Sequence, residues 1–263
     1  MFEKVKKILK AEGIDRVGFI SLEDCDIINQ RLLPESANSA IIFCIPYRSC
    51  KITANDGFSE YARIYDYHKY SSALYERTVD RMKTETGFDF YGFCDHSPIN
   101  EKLAAAKCGL GIIGRNSLFL DKEYGSFVFL GSIITNAKCC VEAKEIEFCY
   151  NCGKCVNACP NSAIIDQGID RNKCLSGISQ RKNKTFEEKE LLKKHNIVWG
   201  CDICQLVCPY NETAKISPIP YFKNTRIEKI DKSFITNLTD EEFAKYAFSY
   251  KGRKIVLDNI DFI

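Results

Sequence analysis

The spacing of the cysteines constrains this chain more than any other feature of its sequence. Eight of the 15 cysteines lie between residues 149 and 208. The first run is Cys149-x2-Cys152-x2-Cys155-x3-Cys159-Pro160, the second is Cys201-x2-Cys204-x3-Cys208-Pro209, and Cys174 stands between them. The first run has the ferredoxin pattern, in which three thiolates hold one four-iron cluster and the fourth reaches a second cluster. The sequence therefore predicts two 4Fe-4S clusters.

The same crossing pattern assigns each thiolate to a cluster, because two four-iron clusters need eight ligands and eight are present once Cys174 is counted. We expect one cluster on Cys149, Cys152, Cys155 and Cys208, and the other on Cys159, Cys174, Cys201 and Cys204. The alternative is a pair of zinc sites built from CxxC motifs. Zinc ribbons, however, do not use three consecutive short-spaced cysteines followed by Cys-Pro.

The remaining seven cysteines are scattered, and we interpret them as buried small side chains in a reducing compartment. They are Cys25, Cys44, Cys50, Cys94, Cys108, Cys139 and Cys140. A vicinal disulfide at Cys139–Cys140 and a redox thiol at Cys94 stay open as alternatives. With 263 residues the chain is too long for a small secreted disulfide scaffold.

Composition and charge narrow the class further. The formal net charge is +2, so any nucleic-acid contact needs a local basic patch. The N-terminal segment MFEKVKKILKAEG is amphipathic without the apolar core of a signal peptide, and no apolar run approaches the length of a membrane span. We therefore expect a cytoplasmic protein with no membrane partner.

The cysteine distribution predicts three parts: residues 1–145, 146–211 and 212–263. In the first part, helical and strand periods alternate, which favours an α/β or α+β fold. We expect helices at 2–9, 23–32, within 58–86 and at 99–108; strands at 16–20, 40–46 and 88–94; and a hairpin or paired strands within 117–135. In the last part, Thr239 and Glu242 form a capping-box signature for a helix over 240–247.

Two further motifs concern binding and catalysis. Gly109-x-Gly111-x-x-Gly114 satisfies the dinucleotide-binding expression, but it follows a helix-like segment and opens a strand-like one, which argues against that function. Asp95 ends an apolar strand and precedes Pro98. An acid in such a place is expected to have a raised pKa, which suits a proton donor. The alternative is that Asp95 caps the helix at 99–108.

These residues together resemble the cobalamin-dependent epoxyqueuosine reductases, which act on transfer RNA in the last step of queuosine synthesis. The resemblance extends over nearly the whole chain to residue 211. It is carried by DYH (66–68), DHSPINEK (95–102), GLGIIGRNS (109–117), GSFVFLGSIIT (125–135), CYNCGKCVNACPNSAI (149–164), KCLSGISQRK (173–182) and WGCDICQLVCPYN (199–211).

The resemblance implies a nitroreductase-like α/β domain, overall an α+β chain, beside a ferredoxin-like double-cluster domain, with cobalamin between them. It implies that Asp95 is the general acid and that Gly111, Arg115, Ser176 and Asp202 lie along the corrin, and His68 is a further candidate contact. The chain departs from the family in two places. His96 replaces the small polar residue that usually follows the acid, and the short tail holds only the start of the family's helical-repeat domain.

The partners follow from these expectations. Transfer RNA is the expected substrate, with a basic segment of five cations available for phosphates: Arg171, Lys173, Arg181, Lys182 and Lys184. A low-potential donor such as a ferredoxin or flavodoxin would supply electrons, and we expect a monomer. The alternatives are a cobalamin reductase for another small electrophile and a two-cluster electron carrier without a substrate of its own.

Overall fold

A four-stranded antiparallel sheet organises the N-terminal part in the computed structural model, which describes residues 1–52, 56–166 and 168–263. The strand order is β1-β2-β6-β3. The strands are β1 Val17–Ser21, β2 Ser39–Pro46, β3 Phe90–Phe93, β4 Gly111–Ile113, β5 Phe119–Asp121, β6 Val128–Thr135, β7 Ile164–Ile165 and β8 Gly168–Ile169. The pairs β4–β5 and β7–β8 form separate two-stranded sheets.

Helices pack on both faces of this sheet, and eight of the eleven α-helices in the described ranges lie after residue 150. They are α1 Phe2–Ala11, α2 Tyr67–Thr86, α3 Glu101–Lys107, α4 Lys154–Ala158, α5 Leu175–Ser179, α6 Phe186–Lys194, α7 Ile203–Leu206, α8 Pro220–Thr225, α9 Lys232–Asn237, α10 Asp240–Phe243 and α11 Arg253–Phe262. None of the helices in the described ranges is long and apolar enough to cross a membrane.

Strand β2 shows why helices cover both faces of the sheet. All eight of its residues are buried, and successive side chains point to opposite faces. Ile41 and Phe43 pack in a core with α1 and α2, whereas Ile42 packs in a second core with the alanines of α3. The N-terminal part is therefore a three-layer α+β sandwich, as the mixed pattern of the sequence predicted.

Two predicted elements were wrong. The predicted helix at 23–32 is replaced by two short 3₁₀ turns, Leu22–Asp24 and Gln30–Leu32. Helices in proteins are stabilised mainly by burying an apolar face, and Ile28 in this segment is 64% exposed. The predicted hairpin within 117–135 is also absent, because β5 pairs with β4 while β6 joins the central sheet.

The tail folds back onto the other two parts. Phe222 on α8 is fully buried in the core that α1, α2 and the sheet share. Ile235 and Phe248 pack with Phe58 and Trp199 in another core. The hydrophobic cores thus cross the predicted boundaries at 145 and 211. The capping box of Thr239 and Glu242 is confirmed, at the start of a helix shorter than predicted.

Truncating Phe222 tests whether the tail stabilises the sheet domain. Because this side chain is fully buried, Phe222→Ala should lower the free energy of unfolding by about 3–5 kcal/mol. The matched control is Phe186→Ala, since Phe186 is 73% exposed. Chemical unfolding followed by far-ultraviolet circular dichroism measures both. Equal effects of the two variants would contradict the observed packing of the tail.

Candidate cofactor sites and active site

Two cavities in the C-terminal half are lined by cysteines. The first cysteine cavity has a volume of about 340 Å³, and its thiols are those of Cys149, Cys152, Cys155 and Cys208. The second cysteine cavity has about 350 Å³, and its thiols are those of Cys159, Cys174, Cys201 and Cys204. The structure thus brings together the same two groups of four that the crossing pattern predicted.

Local backbone geometry explains how a short loop presents three thiols to the first cysteine cavity. Asn151 and Gly153 both adopt left-handed backbone conformations, which turn the chain sharply before α4 begins. The backbone N–H of Arg115 donates to the Cys149 sulfur at 3.2 Å. In the second cysteine cavity the N–H of Ala163 donates to the Cys159 sulfur, also at 3.2 Å. Each bond directs a backbone N–H at a sulfur atom that lines its cavity.

The donor chemistry of both cavities fits an iron–sulfur cluster. Four soft sulfur donors face each space, and the other lining residues are largely apolar or uncharged. Burial raises the pKa of Cys201 and of Cys204 to about 12, so cluster binding must displace these protons. The zinc alternative needs side chains converging on a single ion. Within the described residues, no three His, Cys, Asp or Glu side chains form such a group.

A third, larger cavity lies where the three parts of the chain meet, and we call it the Asp95 cavity. Its volume is about 960 Å³, and it is lined by Tyr61, Asp66, Tyr67, His68, Asp95, Phe129, Ser176, Ala247 and Tyr250. Ser176 lies on α5, two residues after Cys174 of the second cysteine cavity. Gln180 joins two of its walls, donating to the Tyr61 hydroxyl at 3.2 Å and accepting from Tyr250 of the tail.

Asp95 stands in this cavity on a sharply turned loop after β3. Its backbone is left-handed, with φ of 61°. Its carboxylate accepts a hydrogen bond from the Tyr67 hydroxyl and lies 3.1 Å from Nε2 of His68. Asp95 does not cap the following helix, because Asn100 does so by accepting the Leu103 N–H. The carboxylate therefore faces the cavity and not α3.

The pKa of Asp95 differs from the sequence-based expectation because of its contact with His68. His68 also lies 2.8 Å from Asp66, and the hydrogen bonds to Asp66 and then Asp95 raise the pKa of His68 to about 10. Burial works to raise the pKa of Asp95, but the hydrogen bonds from His68 and Tyr67 outweigh it, so the pKa of Asp95 is lowered. The expected raised pKa was wrong. At neutral pH the proton resides on His68, between two carboxylates.

The sequence analysis missed a second acid beside this loop. Glu101 is the first residue of α3, and it accepts a hydrogen bond from Ser132 at 2.7 Å. Burial raises the pKa of Glu101 to about 8. Its place three residues after Pro98 in DHSPINEK was a signal, because a helix that starts there packs its first turn against the sheet.

The residues expected along the corrin occupy different places. Ser176 and His68 line the Asp95 cavity. Gly111 lies in β4, where an added Cβ would collide with the carbonyl of Leu120. Arg115 lines the first cysteine cavity and pairs with Asp166. Asp202 is placed so that it accepts the Glu60 N–H at 2.6 Å, and burial raises its pKa to about 6.

The basic segment is partly neutralised in the fold. Arg181 pairs with Glu188, and Lys184 donates to the Arg181 carbonyl at 2.7 Å. Lys182 and Lys184 line a groove of about 900 Å³ that Asp258 and Asp261 of the tail also line. The remaining two cations, Arg171 and Lys173, are exposed. The surface thus offers separate cations and not one continuous basic patch.

Comparison with known proteins first defines the class. Residues 148–211 match the family model described as a 4Fe-4S double cluster binding domain. The two cysteine cavities fall within this segment, apart from the residues of 114–120 that line the first. This segment is therefore of the double-cluster binding type, and a separate acid-lined cavity lies beside its two cysteine cavities.

The chain is similar in sequence to curated epoxyqueuosine reductases. The epoxyqueuosine reductase of Aliivibrio fischeri is 35% identical over 60% of this chain and 43% of its own length. That of Lactococcus garvieae is 30% identical over 74% of this chain and 57% of its own length. The chain thus spans about half the length of these curated relatives.

Solved structures are similar in fold. The epoxyqueuosine reductase of Streptococcus thermophilus superposes with a TM-score of 0.82 at 25% identity, covering all of this chain and 80% of that one. A crystal structure of an epoxyqueuosine reductase with an epoxyqueuosine-modified tRNA-Tyr stem loop gives 0.81 at 21% identity, covering 99% and 80%. A reductive dehalogenase described as B12-dependent shares the fold with a TM-score of 0.51 at 18% identity, covering 84% and 33%. By sequence and by fold, this chain is similar to these epoxyqueuosine reductases.

The charge state of His68 is testable directly. In Asp66→Asn the largest cause of its raised pKa is removed, so the pKa of His68 should fall from about 10 by at least about one unit. Asparagine is also a good N-cap, so α2 should stay intact. Histidine C2-hydrogen exchange, followed by mass spectrometry across pH, gives the midpoint. Asp80→Asn, at an exposed position of the same helix, is the control. An unchanged midpoint in Asp66→Asn would contradict the described contact.

Proposed function

We propose that this chain is an epoxyqueuosine reductase that uses two 4Fe-4S clusters and a cobalamin to convert epoxyqueuosine to queuosine in transfer RNA. One observation carries the proposal: the acid-lined Asp95 cavity begins two residues from Cys174, a thiol of the second cysteine cavity. The proposed electron source, a cluster in the second cysteine cavity, would therefore lie next to the proposed proton source, Asp95 with His68. The names of the relatives supply the substrate class.

The residues that would hold the cofactors are those of the three cavities. The first cysteine cavity would hold one cluster on Cys149, Cys152, Cys155 and Cys208, and the second would hold the other on Cys159, Cys174, Cys201 and Cys204. The Asp95 cavity has aromatic walls that suit a large planar ring, within a domain that we propose to be nitroreductase-like. When bound, the clusters supply electrons and the corrin supplies the reactive metal centre.

The protein's own contribution is to orient the substrate and deliver protons. Removing the epoxide oxygen as water requires a pair of electrons and a pair of protons. His68 holds a proton 3.1 Å from Asp95, and the Tyr67 hydroxyl fixes the same carboxylate. We propose that Asp95 contacts the opening epoxide oxygen and passes it the proton that His68 holds. Protonated His68 then re-forms from solvent at the exposed side of the cavity, and the same route supplies the second proton.

The RNA contact involves the tail and the exposed cations. A relative has been crystallised with a modified stem loop, and this chain matches 80% of that relative. In this chain Ala247 and Tyr250 of the tail line the Asp95 cavity, so the tail helps to shape the entrance. We propose that Arg171, Lys173 and Lys182 contact phosphates, with Arg181 and Lys184 in supporting roles.

The reaction also needs an electron donor, and the protein works in a particular cellular location and oligomeric state. We propose a ferredoxin or flavodoxin as the electron donor and a cytoplasmic monomer as the working form. The second candidate function is reduction of another small electrophile. It is favoured by Asp258 and Asp261, whose charges weaken the basic surface next to Lys182 and Lys184. A bare electron carrier would have no use for the Asp95 cavity.

Removing the acid separates proton transfer from electron transfer. Asp95→Asn should reduce the conversion of epoxyqueuosine by at least about 100-fold, because the amide cannot relay a proton. Reduction of the clusters, followed by visible absorption, should stay unchanged. Nucleoside mass spectrometry of epoxyqueuosine-containing transfer RNA measures the product. Asp80→Asn is the control, and full activity of Asp95→Asn would exclude the proposed role.

Paired cysteine variants test the crossed ligand sets. Because Cys208 and Cys149 line the same cavity, Cys149→Ser with Cys208→Ser should lose about as much iron as either single variant, about four of about eight atoms. Because Cys174 lines the other cavity, Cys208→Ser with Cys174→Ser should lose nearly all of it. Iron and sulfide assays after anaerobic reconstitution give the numbers.

The control for this experiment is Cys140→Ser, at an exposed position outside both cavities. It should retain the full iron content. If the Cys149–Cys208 pair instead lost both clusters, then the two thiols would belong to different clusters and the crossed assignment would be wrong.

A further inference from the structure

Behind the loop that carries Asp95 lies a small polar group that the proposed reaction does not use. Glu101 accepts a hydrogen bond from the Ser132 hydroxyl at 2.7 Å, and the Ser132 and Ser97 hydroxyls are 2.9 Å apart. Both serines are buried. Ser97 also accepts the N–H of Ile99 at 3.3 Å. The group therefore joins the first turn of α3, strand β6 and the loop between Asp95 and Pro98. Glu101 is absent from the lining of the Asp95 cavity.

The groups that face Glu101 are acids or neutral hydroxyls. The Asp95 carboxylate and the Cys94 thiol approach from the loop, and the Tyr75 hydroxyl approaches from α2. Strand β6 contributes the Ser132 hydroxyl. Burial raises the pKa of Glu101 to about 8, the Ser132 hydrogen bond lowers it, and the charge of Asp95 raises it. Glu101 is therefore mostly neutral at pH 7.

The loop itself needs outside contacts to hold its shape. Asp95 has a φ of 61°, a conformation that residues other than glycine adopt at an energetic cost. The next residue, His96, donates its N–H to the Cys94 carbonyl at 2.7 Å, which closes a tight turn. Ser97, two residues after Asp95, links this loop to Ser132 and through Ser132 to Glu101.

We propose that Glu101 is a positioning residue that holds the Asp95 loop in place through the Ser132 and Ser97 hydroxyls. The carboxyl group of Glu101 accepts the Ser132 hydroxyl, and the contact between Ser132 and Ser97 carries this link into the loop. An ionised Glu101 would place a second negative charge close to Asp95. The loop should therefore loosen as pH rises through about 8. The effect of Glu101 on catalysis rests on the proposed function, whereas the effect of Glu101 on the loop does not.

The substitution Glu101→Gln separates charge from hydrogen bonding. Glutamine keeps an acceptor and a donor at nearly the same places but cannot ionise. Glu101→Ala removes both groups. The matched control is Glu145→Gln, at an exposed position. The full-length, cluster-loaded chain is used throughout.

The readout is hydrogen–deuterium exchange of the peptide covering residues 94–100, given as protection factors corrected for intrinsic pH dependence. In the unsubstituted chain and in Glu145→Gln, protection should fall about tenfold from pH 7 to pH 9, because the neutral fraction of Glu101 falls about that much. Glu101→Gln should stay protected at both pH values, and Glu101→Ala should be unprotected at both. Protection that is flat with pH in the unsubstituted chain, or a Glu101→Gln variant as exposed as Glu101→Ala, would overturn the proposal.

The pH profile of turnover on epoxyqueuosine-containing transfer RNA completes the test. Glu101→Gln should keep its activity above pH 8, where the unsubstituted chain declines. Loss of activity in Glu101→Gln with the loop still protected would show that the Glu101 proton itself is used, which contradicts a positioning role. If no variant turns over this substrate, the proposed function fails, and the exchange measurement still decides the role of Glu101.

Discussion

The buried side chain of Arg63 holds the three parts of the chain together. Its guanidinium pairs with Asp56, lies 3.8 Å from Glu60 and donates to the Glu228 carbonyl in the tail at 3.1 Å. Glu60 in turn pairs with Arg226 at 2.8 Å, and its N–H donates to Asp202 beside Cys201. Breaking a buried pair of this kind typically destabilises a protein by about 3–5 kcal/mol. The cluster segment and the tail are thereby fixed relative to the sheet.

This fixed arrangement determines where chemistry can happen. The second cysteine cavity and the Asp95 cavity are contiguous through α5, since Cys174 and Ser176 belong to the same turn. Asn116 lines the first cysteine cavity and reaches the Cys204 carbonyl of the second at 3.4 Å. The three cavities therefore form a sequence from the outer thiols to the acid.

Much of the cluster region could be predicted because its information is local. Short gaps between cysteines allow one loop to supply several thiols. A strand such as β2, with eight consecutive buried residues, can be predicted from its continuous apolar run. The helix predicted at 23–32 does not form, because the apolar residues Ile27, Ile28 and Leu32 are exposed and pack against no core. The pairing of β6 with β2 was missed because adjacency in sequence favoured its pairing with β5. Both errors concern long-range packing.

The active site shows the same division between local and long-range information. Asp95 was recognisable as an acid at a strand end, but its lowered pKa depends on Tyr67 and His68, which arrive from α2. The sequence by itself determined the two sets of four thiols, the main strands and helices and the presence of an acid. Only the tertiary structure decided which residues set the charge of that acid and that the tail closes its cavity. The reason is that pKa values and cavity walls depend on groups distant in sequence, whereas ligand spacing and side-chain periodicity are properties of neighbouring residues.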